Sequence, residues 1–281
     1  MKRARAEVLS VRRLGAYHAI TLVAPEIAER ARPGQFISVA VPPGRAYLLR
    51  RPFWVHAASR RGGWAGTFEF AFDVRGPGTA WLARRPSHTS LDVIGPLGRA
   101  FAYPRRLRTC LLVGEGHGAA ALQFLAEELR ARGRRVDMLI GGATLEEVFK
   151  PIEAKRLSTN LAIVTRDGSL GDRGRVIDVL EERAARWGTE VVYAAGPRDV
   201  LRGVARFCRE RRIPAQVALE ERMGCGTGLC FGCAVPVART DGTGFDHLRA
   251  CVEGPVFNAA RIVWDRWGGT EDAPAAPLSA G

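Results

Sequence analysis

The sequence predicts a multidomain β and α/β fold: an antiparallel β-barrel, a doubly wound parallel sheet, and a small cysteine-rich C-terminal segment. Three observations predict it. Across residues 5–95, short apolar runs alternate with Gly- and Pro-rich turns. From residue 107 the rhythm changes to strand, helix, strand. After Pro214 four cysteines crowd into a glycine-rich stretch too short to bury a core of its own. A chain of 281 residues exceeds the usual single-domain size, which agrees with such a division.

The elements follow in order. Barrel strands are expected at residues 7–11, 18–23, 35–41, 53–58 and 67–73, with turns at Pro33-Gly34, Pro42-Pro43-Gly44 and Gly62-Gly63. In the second unit, strands are expected at 109–113, 136–141, 161–165 and 190–195, alternating with helices at 119–132, 145–154, 176–187 and 199–212. The predicted divisions are 1–103 for the barrel, 104–214 for the α/β unit and 215–267 for the cysteine-rich unit. Residues 268–281 form an Ala/Pro/Gly-rich tail expected to be disordered.

Composition excludes several classes. With 47% hydrophobic and 25% charged residues the chain reads as globular, and no apolar run nears the roughly 20 residues of a membrane span. The charge of +13 is mostly arginine spread along the chain without interleaved aromatics, so it reads as solvated faces rather than a nucleic-acid platform. The N-terminus is basic but no apolar stretch follows, so the cytoplasm is the expected location. Six cysteines, four of them clustered, favour metal ligation over disulfides, and Cys110 and Cys208 read as small buried hydrophobes.

The strongest motif is Cys225, Cys230 and Cys233 in a C-x4-C-x2-C loop, with Cys251 following after 17 intervening residues. Plant-type [2Fe-2S] clusters use this spacing. The glycines between these cysteines allow a loop to wrap thiolates and aim N–H groups at sulfur. A four-thiolate zinc site is the alternative, although zinc motifs usually pair two short knuckles. Gly114-Glu-Gly116-His-Gly118 follows the first α/β strand and opens a helix, where a dinucleotide pyrophosphate could approach; a tight turn without a ligand would read the same. Glu115 is awkward beside phosphate unless it points away. Arg51-Pro-Phe-Trp54 and Arg75-Gly76-Pro-Gly78-Thr79 supply a guanidinium fork and a second glycine turn suited to phosphate, and each could equally be structural.

Taken in order, these segments resemble the ferredoxin-reductase superfamily, and most closely the iron–sulfur electron-transfer subunits of bacterial B-type dihydroorotate dehydrogenases. The most specific parts are Leu219-Glu-Glu-Arg-Met-Gly-Cys-Gly-Thr-Gly-Leu-Cys-Phe-Gly-Cys and Cys251-Val-Glu-Gly-Pro-Val-Phe. Leu49-Arg-Arg-Pro, Gly95-Pro-Leu-Gly, Leu112-Val-Gly-Glu-Gly-His-Gly and Ala195-Gly-Pro are similar to the family's flavin and nicotinamide segments. The resemblance implies FAD on the barrel, against Arg51, Pro52, Phe53, Trp54, Phe72, Asp73, Val74, Gly78 and Thr79. It implies NAD(H) against Gly114, Gly116, Gly118, Gly196 and Pro197, and a [2Fe-2S] cluster on the four cysteines. It implies a heterotetramer with an FMN-containing catalytic subunit that oxidises dihydroorotate, and no catalytic residue is assigned to this chain. Where the family usually has Ser or Thr this chain has Trp54, which removes a hydroxyl expected at the FAD phosphate. A related subunit serving ferredoxin, sulfur compounds or hydrogenase is the runner-up reading, and a non-enzymatic redox-sensing module the third.

Overall fold

The computed structural model describes residues 1–42, 48–60, 62–103 and 106–267. The turn expected at Pro42-Pro43-Gly44 lies partly outside these residues, as does the boundary expected at Tyr103-Pro104, and the tail 268–281 lies wholly outside them.

Six antiparallel strands close a barrel: β1 (Lys2–Leu14), β2 (Tyr17–Val23), β3 (Phe36–Val39), β4 (Arg51–Ser59), β5 (Thr67–Phe72) and β6 (Ser90–Leu97), in the order β1-β2-β5-β4-β3-β6. Period-two alternation sends Ala4, Ala6 and Val8 of β1, and Phe68, Phe70 and Phe72 of β5, into one apolar core. The Phe53 and Phe70 rings stack there with centroids 4.8 Å apart. The strand β6 was not among those expected. Gly95-Pro96 interrupts its apolar pattern and its alternate residues are only half buried, which hides it from a search for apolar runs. Two short helices, α1 (Pro25–Ala28) and α2 (Pro77–Ala83), cover the barrel.

The second unit builds a sheet in the order β10 (Asp172–Arg173), β9 (Asn160–Thr165), β8 (Arg135–Gly142), β7 (Thr109–Glu115), β11 (Val191–Ala195), β12 (Ala215–Ala218) and β15 (Val256–Asn258). Its parallel strands are β7, β8, β9, β10, β11 and β12. Around them lie α3 (Ala120–Ala131), α4 (Pro151–Leu157), α5 (Val176–Trp187) and α6 (Arg198–Glu210). The helix expected at 145–154 is broken. Leu145–Glu147 is a single 3-10 turn, and α4 starts only at Pro151, whose missing N–H suits the first helical position and no interior one. The segment from residue 215 is also woven into this sheet. Its β12 extends the parallel order, and its β15 (Val256–Asn258) adds an antiparallel edge, leaving only the hairpin β13 (Ala234–Ala238) and β14 (Phe245–Arg249) as a separate sheet.

The loop after β8 is clamped to the barrel. Ala16 donates to the Glu146 carbonyl at 2.8 Å, the Tyr17 hydroxyl to the Glu147 carbonyl at 2.9 Å, and Lys150 Nζ to Glu69 Oε1 at 3.1 Å. Glu69 is buried and also bonds His56 at 2.7 Å, Thr21 at 2.8 Å and Arg12. Burial alone would raise the Glu69 carboxyl, but His56, Lys150 and Arg12 together hold it far below the usual carboxylate range. Burial wins at His56 and lowers its pKa, against the pull of Glu69. In the unfolded chain an imidazole takes up a proton near pH 6.5, so below that pH the unfolded state binds more protons and stability falls. The melting temperature should therefore drop between about pH 7 and pH 5, and the drop should be shallower in His56→Gln. An identical slope in the variant would remove His56 from this account.

Candidate metal centre and nucleotide clefts

Local backbone geometry assembles the cysteines. Gly226 and Gly228 have φ of 68° and 93°, in the left-handed region, so the chain between Cys225 and Cys230 coils tightly enough to turn its N–H groups inward. The N–H groups of Thr227, Leu229 and Cys230 donate to Cys225 Sγ at 3.4, 3.3 and 3.4 Å, and that of Gly232 donates to Cys230 Sγ at 3.5 Å. Burial resists ionisation of Cys225, but the donors from Thr227 and Cys230 outweigh it and bring the thiol down to about 6.

The distant cysteine arrives through hairpin register. Ala234 pairs with Arg249 and the Ala250 N–H donates to the Cys233 carbonyl at 2.8 Å, which sets Cys251 beside Cys233. Those two thiols are buried; burial, then the neighbouring Cys233, pushes Cys251 up to about 12. Arg249 ties hairpin to loop, donating to the Gly228 carbonyl at 2.9 Å while Glu253 holds its fork. The turn at Asp241-Gly242 closes this hairpin, with Asp241 Oδ1 accepting from the Thr243 N–H at 2.9 Å. The Cys225 and Cys230 N–H groups each meet the other's sulfur at 3.4 Å, and the hairpin register brings Cys251 to Cys233; four thiols on one loop and one hairpin are a donor set that suits a [2Fe-2S] cluster. Cys110 and Cys208 are buried elsewhere, as expected, and burial raises their thiols to about 11 and about 12.

A cleft of about 560 Å³ runs along the barrel and is lined by Arg51, Pro52, Phe53, Phe72, Asp73, Gly78 and Thr79 among others. Seven of the nine residues expected to face FAD therefore share one wall. Arg51 crosses Gly78 so closely that a Cβ there would lie 3.3 Å from its Nε. In the first turn of α2, Pro77 has no N–H and the Ala80 N–H donates to the Gly76 carbonyl at 2.9 Å, which leaves the Gly78 and Thr79 N–H groups outside the helix's own ladder beside that guanidinium. The Thr79 hydroxyl is committed to capping: it accepts from the Arg75 and Gly76 N–H groups at 3.0 and 3.2 Å and donates to the Gly76 carbonyl at 3.0 Å. Val74 is exposed and does not line the cleft. Trp54 lies outside it too. It is buried opposite Phe36 and lines an adjoining recess with His117, Leu219 and Met223, so the missing hydroxyl falls away from the Arg51 end.

The residues expected to face NAD(H) gather at the switch point of the sheet, where β7 and β11 diverge in chain order, the kind of crevice that takes dinucleotides in doubly wound sheets. Gly118 packs against the next turn so tightly that a Cβ would sit 2.5 Å from Gly196 Cα and 2.8 Å from the Ala195 carbonyl carbon. Pro197 caps α6 from that second turn, Gly116 is left-handed at φ 62°, and Gly114 lets Ala119 approach β7. Glu115 points away from the turn: it is buried, with Oε1 2.8 Å from Arg166 and 3.2 Å from Arg175.

Sequence reasoning missed the groups that join these sites. His117 lies between two predicted glycines but reaches across the seam; its Nε2 donates to the Ala71 carbonyl at 2.8 Å, and it lines both the cleft and the recess. Residues 220–223 form the far wall of the cleft, and Arg75 anchors them by donating to Glu220 at 3.3 Å. The signal for these was the flanking Leu219-Glu-Glu-Arg itself.

Comparisons with known proteins point to one family. The family model described as "Iron-sulfur cluster binding domain of dihydroorotate dehydrogenase B" matches residues 220–263. The chain is 34% identical over 242 residues to the dihydroorotate dehydrogenase B (NAD(+)) electron transfer subunit of Desulforamulus reducens, covering 86% of this chain and 90% of that one. It is 37% identical over 247 residues to the Bacillus caldolyticus subunit, covering 87% and 91%. Among solved structures, the NADH-dependent reduced ferredoxin-NADP oxidoreductase associated with flavin-based electron bifurcation aligns at TM-score 0.80 and 28% identity, over 93% of this chain and 91% of its own. Phthalate dioxygenase reductase, at TM-score 0.59 and 17% identity over 89% and 94%, shares the fold. The chain belongs to the family of dihydroorotate dehydrogenase B (NAD(+)) electron transfer subunits.

Proposed function

We propose that this chain passes electrons between NAD(H) and the FMN-containing catalytic subunit of dihydroorotate dehydrogenase, through FAD and a [2Fe-2S] cluster, in pyrimidine biosynthesis. The observation that carries the reading is one continuous wall: residues 220–223 close the barrel cleft, and Met223 stands two positions before Cys225. FAD supplies the conversion between hydride transfer and single-electron transfer. The chain's own residues bind and orient. Arg51 and the first turn of α2 hold phosphate, the Gly114–Gly118 and Gly196-Pro197 turns admit the dinucleotide, and His117 bridges the two. Cys225, Cys230, Cys233 and Cys251 ligate the cluster, and no residue here is assigned to dihydroorotate.

On this reading residues 1–103 carry FAD and 104–214 carry NAD(H), while the cluster unit, 215–267, borrows the edge of the α/β sheet. The partner assembly is a heterotetramer with two chains of each type. The location is the cytoplasm; among the described residues no helix is long and apolar enough to cross a membrane. The likeness to the ferredoxin-NADP oxidoreductase supports the second reading, a related FAD and [2Fe-2S] subunit with another acceptor.

Two measurements decide. The purified chain should hold about one flavin and about two irons, with the absorption of both; zinc in place of iron would sink the cluster assignment. Co-purification from native cells should bring down an FMN protein that oxidises dihydroorotate, and recovery of a ferredoxin or hydrogenase instead would favour the second reading.

A further inference from the structure

A separate cleft of about 900 Å³ opens where residues 98–103 leave the barrel, between the loop 30–35, Arg60 and α3. It shares no lining residue with the barrel cleft or its recess. Five guanidiniums line it, those of Arg30, Arg32, Arg60, Arg99 and Arg132, and Glu128 is the one carboxylate on its walls among the described residues. Glu128 is already shared: Arg60 bonds it at 3.2 Å and Arg132 bonds it across one helical turn. Arg30, Arg32 and Arg99 have no side-chain partner among the described residues.

Gathering uncompensated guanidiniums in a concavity costs repulsion and gives the fold nothing back unless an anion sits among them. The residue type is informative, because the planar arginine fork matches phosphate oxygens bidentately. So is the shape, because a recess of this volume is of the size that encloses a small molecule rather than a flat protein face. Tyr103 lines it, with the Arg132 guanidinium 4.4 Å from its ring centroid. Burial and Glu128 raise the Tyr103 pKa while Arg132, Arg60 and Arg32 pull it down, so three of the five charges surround one phenol. The floor touches the cluster unit: the Arg99 N–H donates to the Gly254 carbonyl at 2.5 Å, three positions after Cys251.

We propose that this cleft binds the polyphosphate group of a small anionic ligand, at a site distinct from the electron path. The ligand is either free polyphosphate or a nucleoside triphosphate, and the shared chemistry is a run of phosphates on Arg30, Arg32 and Arg99.

The test is calorimetric titration of the holoprotein with inorganic tripolyphosphate and, separately, with ATP, both at saturating NAD+ so that the dinucleotide crevice is filled. The expected result is single-site binding that weakens at least about tenfold in the Arg30→Gln, Arg32→Gln, Arg99→Gln triple variant, with NADH-driven reduction of an artificial acceptor unchanged. Tighter binding of ATP assigns the nucleotide, and equal binding assigns the phosphates alone; either supports the site. All three arginines are exposed, so the fold should tolerate the changes. Should the triple variant not fold, Arg32→Gln alone must show a smaller loss in the same direction. No binding of either probe, binding seen only without NAD+, or equal affinity in the variants would overturn the proposal.

Discussion

Cys251→Ser is expected to strip the iron from this protein while leaving its flavin in place. Cys251 is buried beside Cys233, so on the proposed ligand set the change removes a ligand from a buried position where water cannot readily substitute. A serine hydroxyl there is a poor replacement for a thiolate as an iron ligand. Electron delivery to the catalytic subunit should fall on the order of a hundredfold or more. NADH oxidation by an acceptor that takes electrons directly from flavin should continue, because cleft and crevice use none of the four cysteines. The matched control is Cys208→Ser, a buried thiol of α6 with no metal role, expected to cost about 1–3 kcal/mol of stability and no iron. Full iron occupancy in Cys251→Ser would remove that residue from the ligand set.

The cysteine site was readable because its information is local. Spacing within nine consecutive residues, Cys225 to Cys233, set the loop, and only Cys251 needed the hairpin to bring it home. Helix α5 was equally legible: its amphipathic run ends at Gly188, whose φ of 64° makes it a left-handed cap. Nonlocal pairing was harder. Strands β12 and β15 have four and three residues and belong to the sheet only because β11 offers an edge to the first and the first offers one to the second. Nothing in residues 215–218 alone distinguishes joining that sheet from leading into a free-standing unit.

Charge partners were the least legible. The sequence made Glu115 look hostile to a phosphate, and only the fold brings Arg166 and Arg175, from 51 and 60 positions away, to hold it aside. His117 was visible as the odd residue in a glycine turn, but its role depends on Ala71 of a different unit. The same holds for Trp54. Its distance from the Arg51 end follows from strand pleat, since Phe53 turns into the barrel and Trp54 turns out against Phe36 and the α/β unit.

The second large effect is expected at Gly118. Its absent side chain is what lets the turns after β7 and β11 meet: a methyl group there would lie 2.5 Å from Gly196 Cα and 2.8 Å from the Ala195 carbonyl carbon, and both neighbours are backbone with no rotamer to yield. Gly118→Ala must therefore push the β7 and β11 turns apart, at a cost of about 1–3 kcal/mol for overpacking. Displacement of a binding turn by even about 1 Å is enough to lose on the order of a hundredfold in rate, so NADH-driven flavin reduction should fall by that order. Chemical reduction of the same protein by dithionite should proceed as in the wild type, because the barrel cleft and the cysteine loop lie outside the contact. Gly133→Ala separates the two consequences. That glycine follows α3 at φ 69° with no atom within 4 Å of a Cβ, so it should lose about 1 kcal/mol to backbone strain and leave NADH kinetics untouched. If Gly118→Ala instead behaves like Gly133→Ala, with lowered stability and normal NADH turnover, the dinucleotide does not rest on this turn, and the crevice between β7 and β11 is only a close packing of two loops.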